Sequence, residues 1–573
     1  MKIKQYYSWM VAAAMAVATP FLAACSSEEN LAPSRGVAVT DAHIVINVEP
    51  YGATPTAAKS RAAVIPAAMK PDTVLLANGM RAVVSMEEDA PETQAATRAT
   101  MDDGHYTIFA LDPATGDRIT GTKKQLTGTV TGGVFQSDAG SKMILDPGTY
   151  KFVCINDAVT DHGTWLEVST GMSFGIGSAP TASDAQIGTS TETIDGDDWQ
   201  VTFLMKHQNA RFRLRLVAYT NQLENVVGAL GTGMQYPVAI KYALDGSTPV
   251  VTEKTFPYGY TIAKLTLSNT PVESNATYVK ANNFYSNYMY VMPGGDDVEP
   301  LLVEGKAYGK SFNPAAPTQV GGLGFPSKTQ RNHSYTITYR LLPEALYLFQ
   351  DGSCGALAEK GSRTPIAVVG REKTNAKEGL AVALKNTEAA YYADLSKIPG
   401  YVDSYKLNNK NYHSENDAGF WTDELGEQWT WESSGSSNGD IKANNKEGYG
   451  AFYLVAHYNP GVALTGDMVG KRWFFPAIGD WWAFLREFAA NKTTPPTLPV
   501  AFPTAQVDAM FTNAGGMGLS DLSHFSGRSA SEFDSGANET SFAIYTFGNK
   551  VTVLSTMFKF VMSPIETRPF IHF

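Results

Sequence analysis

"ARFRLRLVAY", residues 210–219, alternates without a break: Phe212, Leu214 and Leu216 fall on one side of an extended chain, and Arg211, Arg213 and Arg215 on the other. A period of two marks a strand with one buried face, because successive side chains of a β-strand point to opposite sides. The arginine face reads as that strand's solvent side rather than as a binding stripe. The same alternation recurs at "HSYTITYRLL" (333–342), "HIVINVEP" (43–50), "MRAVVSMEE" (80–88), "HYTIFALD" (105–112) and "GTYKFVCIND" (148–157). Between these runs lie turn-forming residues such as Pro293-Gly294-Gly295-Asp296, and no long helical period occurs before about residue 342. The pattern predicts a mainly β chain that opens with two tandem β-sandwiches, over 41–200 and 201–342.

Beyond residue 342 the composition changes. Residues 343–573 hold six of the nine tryptophans, and polar loops separate short apolar pieces. "GDWWAFLREFAAN" (479–491) predicts a helix with Asp480 as N-cap, Trp481, Leu485 and Phe488 on one face and Asn491 as the stop. "KVTVLSTMFKFVMS" (550–563) supplies late strand, and "RPFIHF" (568–573) a final alternating one. An α+β domain over 343–573 follows.

The amino-terminal end carries an address. Lys2 and Lys4 precede a mostly apolar stretch from Tyr6 to Ala24, which is the order of an export signal. Leu22-Ala23-Ala24-Cys25 is similar to the lipobox of bacterial lipoproteins, which implies cleavage after Ala24 and a lipid on Cys25. Residues 1–24 are then a signal peptide and 25–40 a tether, and acyl chains hold the protein to a membrane outside the cytoplasm. An uncleaved anchor helix is the alternative for the same run. Ser26-Ser27-Glu28-Glu29 reads equally as an acidic export tag or as a solvated linker.

The formal net charge is −11, and −13 once Lys2 and Lys4 leave. With no basic block to neutralise phosphates, nucleic acid is set aside as a partner. Cys154 and Cys354 lie in different predicted domains and read as small buried residues rather than as a disulfide. No HExxH, CxxC, Walker A or GxSxG motif is present, and the acidic turns "DGDDW" (195–199) and "PGGDDVE" (293–299) lack EF-hand spacing. The chain therefore reads as a non-enzyme without cofactor or metal.

Behind the lipobox, "ATRAT" (96–100), "HYTIFALDPATGDRI" (105–119), "VTFLMKHQNARFRLRLVA" (201–218), "YVMPGG" (290–295) and "GFPSKTQRNHSYTITYRL" (324–341) resemble the fimbrillin family, the lipoprotein pilins of Bacteroidota type V pili. That resemblance covers roughly 40–342. It implies that a protease cuts after an arginine in the first domain, and that the sheet so opened accepts a strand from another pilin subunit. Arg98 is the first choice for the cut and Arg61 the second, each against the alternative of a plain surface arginine. "KRWFFPAIGDWWAFL" (471–485), "FSGRSASEF" (525–533) and "ETRPFIHF" (566–573) resemble the C-type-lectin-like fold in the form shared with formylglycine-generating enzymes. The calcium-site triplets of the sugar-binding lectins are missing, as is the cysteine pair of the copper oxidases.

Together these readings imply a fimbrial tip or accessory subunit at the outer membrane and cell surface. The carboxy-terminal domain would act in adhesion, with Trp421, Trp429 and Trp431 as contacts for a glycan or a protein ligand, or else as core. The alternatives are a pilus anchor subunit and a surface lipoprotein that captures carbohydrate or protein without polymerising.

Overall fold

The computed structural model describes residues 36–52, 72–91, 103–169, 183–195, 199–232, 237–254, 261–294, 298–312, 318–319, 329–398, 406–414, 416–488, 500–521, 527–534, 539–547, 550–558 and 564–573. Four strands precede Pro91: β1 (Val37–Val39), β2 (Ile44–Val48), β3 (Asp72–Leu75) and β4 (Arg81–Glu88). After them come β5 (Gly104–Leu111), β6 (Lys124–Thr131), β7 (Lys142–Leu145), β8 (Gly148–Asn156), β9 (Gln186–Ile194), β10 (Val201–His207), β11 (Ala210–Ala218), β12 (Asn282–Tyr285), β13 (Met289–Val291) and β14 (Ser334–Leu342). The alternating runs thus became strands within a residue or two of their expected ends, and the molecule is mainly β.

A nine-stranded sheet runs β1–β7–β6–β5–β8–β9–β10–β2, with Val134–Ser137 attached to β6. Its two outermost strands are consecutive in sequence and separated only by Thr40–His43. So short a link forces the sheet to curl until its edges approach each other. Inside the curl, Val39, Ile46 and Val48 pack with Tyr106, Ile108, Phe152, Val201 and Phe203. Residues 37–48 are therefore the closing seam of this layer. A four-stranded sheet that includes Leu166–Ser169 and Pro237–Tyr242 covers the other face, where Phe109, Val153, Leu166 and Ile240 share one core.

The second large sheet has seven strands, and β12–β11–β14–β4–β3 are consecutive neighbours in it. Phe212, Leu214 and Leu216 of β11 enter its core with Ile337, Tyr339 and Leu341 of β14, beneath a five-stranded sheet that contributes Val226 and Leu265. Strand pairing crosses the expected limit at 200/201 in three places. β10 belongs to the first sheet, Pro237–Tyr242 pairs back to Leu166–Ser169, and β3 and β4 belong to the second large sheet. A limit read along the chain does not capture this, because pairing is chosen by apolar faces that meet across it.

In the remaining part, Leu380–Ala383, Phe570–His572 and Trp473–Phe474 are adjacent strands of a six-stranded sheet. The helix α1 is Ile478–Leu485, which starts two residues before Asp480 and ends six before Asn491. Ala477, not Asp480, is the N-cap; Asp480 is the third helical residue, and its Oδ2 accepts from the Ala477 N–H at 2.8 Å. The early start follows from Gly479, whose N–H donates to the Asp423 carbonyl at 2.9 Å and where a Cβ would stand 2.4 Å from that oxygen.

Candidate functional site

β4 has the alternation its strand needs. Ala82, Val84 and Met86 are 0%, 0% and 5% exposed, whereas Arg81, Val83 and Ser85 are half-buried on the outward side. It runs antiparallel to β14 over eight residue pairs, from Glu88 opposite Tyr335 to Arg81 opposite Leu342. Val84 thus lies opposite Tyr339, and Met86 opposite Ile337. Burying a valine or methionine contributes about 1.5–3 kcal/mol, so this inward face holds the strand against the core. β3 pairs to the outer side of β4 and forms the sheet edge, with Leu75 78% exposed. Between them Asn78 and Gly79 take positive φ of 60° and 72°, the backbone that closes a tight hairpin.

The outward face carries an ordered polar ladder. Ser334, Thr336 and Thr338 of β14 alternate with its inward residues and stand opposite Arg211, Arg213 and Arg215 of the parallel neighbour β11. Each arginine donates Nε–H to its hydroxyl, at 2.9, 3.0 and 2.9 Å respectively. Asp89 closes the ladder from the other side: Ser334 Oγ donates to its Oδ2 at 2.6 Å and Thr336 Oγ1 to its Oδ1 at 2.5 Å. The Arg215 guanidinium also donates to Glu87 at 2.7 Å; on the other face, where Glu88 stands opposite Tyr335, the His333 imidazole meets Glu88 at 2.8 Å. Aromatic rings cover the cations, with the Arg211 guanidinium 3.9 Å from both the Tyr51 and the Tyr288 centroids. This corrects the reading of the arginines as one strand's solvent side, since Arg211 is 9% exposed.

Tyr51 joins the two large sheets. Its hydroxyl donates to Asp184 at 2.8 Å, its ring stacks on His207 at 3.8 Å, and the same carboxylate meets His207 Nδ1. Burial first, and the Asp184 charge second, raise the phenol pKa well above its ordinary value, so this tyrosine remains a donor. Gly52 turns the chain at φ 75°, and its N–H donates to the Asn332 carbonyl just ahead of β14. A Cβ there would stand 3.1 Å from Pro91 Cα, which brings both ends of 52–91 together at the start of β14.

Ala24, Cys25, Arg61 and Arg98 lie outside the described residues. The three tryptophans are described, and for Trp421 and Trp429 the burial matches the core alternative. Trp421 and Trp429 are 7% and 0% exposed within one aromatic core, and half-buried Trp431 donates its indole N–H to the Trp473 carbonyl at 2.8 Å. Tryptophan's large apolar area favours such burial, and polar residues around it in sequence do not report what packs over it. Cys154 and Cys354 are free, buried thiols; burial pushes Cys354 up to about 12 and Cys154 higher still.

The pattern reading missed Tyr51, Asp89 and Asp184, because the contacts Tyr51–Asp184, Asp184–His207 and Asp89–Ser334 join residues far apart in sequence. One signal was present: Ser334, Thr336 and Thr338 repeat at every second position opposite the apolar set. It missed Asp480 as a titrating group as well. Complete burial pushes that carboxyl up to about 7, against the lowering effect of His572. Among the described residues no cluster of three or more His, Cys, Asp or Glu side chains could hold a metal ion. No helix among them is long and apolar enough to cross a membrane.

No family model and no curated protein matches the chain. Solved structures similar to it include a fimbrial protein from Bacteroides ovatus, 12% identical over 93% of this chain and 100% of that one, with a TM-score of 0.25. A fimbrial protein from Bacteroides vulgatus is 10% identical over 41% of this chain and 91% of its own, at 0.26. A candidate cell adhesion protein from Bacteroides uniformis is 12% identical over 43% and 93%, at 0.29. At these scores the likenesses carry no weight in the functional reading.

Proposed function

We propose that this chain is a fimbrial subunit, exported as a lipoprotein on Cys25, whose segment upstream of Arg98 is removed so that a strand of another subunit takes its place. One observation carries the reading: all the described strands before Arg98 sit at sheet margins. β1 and β2 are the two outermost strands of the first sheet, and the β3–β4 hairpin is one margin of the second large sheet. Taking them away leaves β14 with an open row of backbone N–H and C=O groups beside an uncovered apolar face. Such an edge is costly in water and pairs readily with an incoming strand.

The tip or accessory position belongs to the same proposal. Phe570–His572 lies between Leu380–Ala383 and Trp473–Phe474 and pairs with both, so these residues are not a donor arm. Residues 343–573 are then the outward, adhesive part, of the lectin-like kind that the sequence resembles. Its ligand surface is to be sought away from Trp421 and Trp429.

Mass spectrometry of the amino terminus, from cells and from sheared fimbriae, tests this. The expected result is acylated Cys25 on the cell-associated form and a terminus at Ala99 in fimbriae. A terminus at Ala62 would move the cut to Arg61 and leave β3 and β4 in place. Fimbriae that carry the acylated, uncut chain would make it an anchor, and absence from fimbriae would refute polymerisation.

A further inference from the structure

The ladder on the outer face of β14 has a consequence for the strand that would replace β4. Each rung orders the same chemistry across the sheet: a guanidinium on β11, a hydroxyl on β14 and, at the end nearest Pro91, a carboxylate on or beside β4. A serine or threonine hydroxyl has one proton to give. Ser334 and Thr336 each accept from an arginine Nε–H, and both direct that proton to Asp89. The Tyr288 hydroxyl donates to the same carboxylate at 3.2 Å. Three guanidinium groups follow one another at every second residue of β11, a spacing of about 7 Å along a strand. Asp89 and Glu87 are the anions set on that face, Asp89 against the Ser334 and Thr336 hydroxyls and Glu87 against Arg215. Every one of these anions leaves if the chain is cut after Arg98.

We infer that the extended segment of another subunit that seats on β14 must carry at least one carboxylate on its outward face, opposite Ser334 and Thr336, besides alternating apolar side chains on its inward face. The inference rests on the strand-replacement reading above and adds the partner's chemistry to it. The apolar residues fill the space of Ala82, Val84 and Met86, and any β-prone segment could supply them. The carboxylate restores the acceptor that the Ser334, Thr336 and Tyr288 hydroxyls meet. A neutral residue there leaves the hydroxyl protons without an anionic acceptor, and a basic one also adds to the positive charge of the β11 row. The ladder is thus a filter for partners and fixes the register of the one it admits.

The test uses the full chain, cleaved after Arg98 by an arginine-specific protease in the presence of fluorescein-labelled synthetic peptides copying residues 82–91, a stretch that contains no arginine for the protease to cut. Retention of label on the protein is read by fluorescence anisotropy and size exclusion. The native peptide is expected to be taken up. One carrying Glu87→Gln and Asp89→Asn is expected to bind about tenfold more weakly, as for loss of charge-assisted hydrogen bonds on a partly exposed face. That difference should narrow in high salt. A third peptide with Val84→Asp should be excluded. Equal uptake of the native and amide peptides, with Val84→Asp excluded, overturns the carboxylate requirement and leaves strand replacement standing. Uptake of none of the three overturns both.

Discussion

Replacing Met86 by alanine should loosen the β3–β4 hairpin without unfolding the rest of the molecule. Met86 is 5% exposed, and it lies opposite Ile337 of β14 with Phe212 and Leu214 of β11 in the same core. Truncating a buried methionine costs about 2–5 kcal/mol, and the lower half applies where neighbours can settle into the space, as they can near a sheet margin. A loss of about 2–3 kcal/mol corresponds to roughly 30- to 150-fold in the opening equilibrium. Hydrogen exchange on the intact chain reads that equilibrium directly, because β14 amides that face β4 exchange only when the hairpin lifts. Exchange in peptides covering 72–91 and 334–342 should accelerate by that factor, while β5 and β8 of the first sheet keep their wild-type rates. Leu75→Ala is the control: that side chain is 78% exposed on β3 and should change exchange little. If Met86→Ala and Leu75→Ala exchange alike, or if acceleration spreads evenly through both large sheets, the hairpin is not a separable margin and the reasoning behind strand replacement fails.

Asp480 should make stability fall with rising pH. Its pKa is raised to about 7, well above that of an ordinary aspartate, so between the two the folded state holds a proton that the unfolded state has lost. The contribution is complete at low pH and disappears as pH climbs through about 7; Asp480→Asn should flatten that part of a melting-temperature series from pH 4 to 8. Trp429→Ala should destabilise the 343–573 part by about 3–5 kcal/mol, visible in denaturant unfolding, because a fully buried indole is removed. A glycan-binding defect without that loss would return Trp429 to the ligand surface. Tyr51→Phe deletes a donor to Asp184, which His207 and Gln186 still contact, and should cost about 1–2 kcal/mol, measured as faster exchange around Asn332.

The sequence made strands legible wherever one face of the strand is apolar and the other is not. β2, β4, β5, β11 and β14 all satisfy that condition, and each formed close to its expected limits. The identity of a strand's neighbour was not legible, since β4 pairs with a segment some 250 residues further on. Alternation states which face is buried and is silent about which other strand buries it. The tryptophans failed for a related reason. The polar residues of "FWTDELGEQWTWESS" suggested exposure, yet Trp429 sits on a six-residue helix, Gly426–Trp431, whose inner side faces the aromatic core. A helix so short offers too few turns for its period to be read.

The margin strands and the ladder bear on each other. A segment meant to leave needs an apolar hold weak enough to lose and a polar hold specific enough to keep wrong partners out. On β4 these are divided between the two faces: three apolar residues inward, and acids grouped at the end next to Pro91. The inward face is generic, because alanine, valine and methionine fit many strands, so selectivity falls to the outer face, where hydroxyls accept from arginines and need an anion beyond them. Water screens that outer face in part, which lowers its strength and leaves its discrimination, as a charge mismatch there costs more than a match gains. A strand stabilised equally by both faces would be hard to remove. One held by the inward face alone could be replaced by any β-prone chain, and the Asp89 carboxylate is the group that separates those two outcomes.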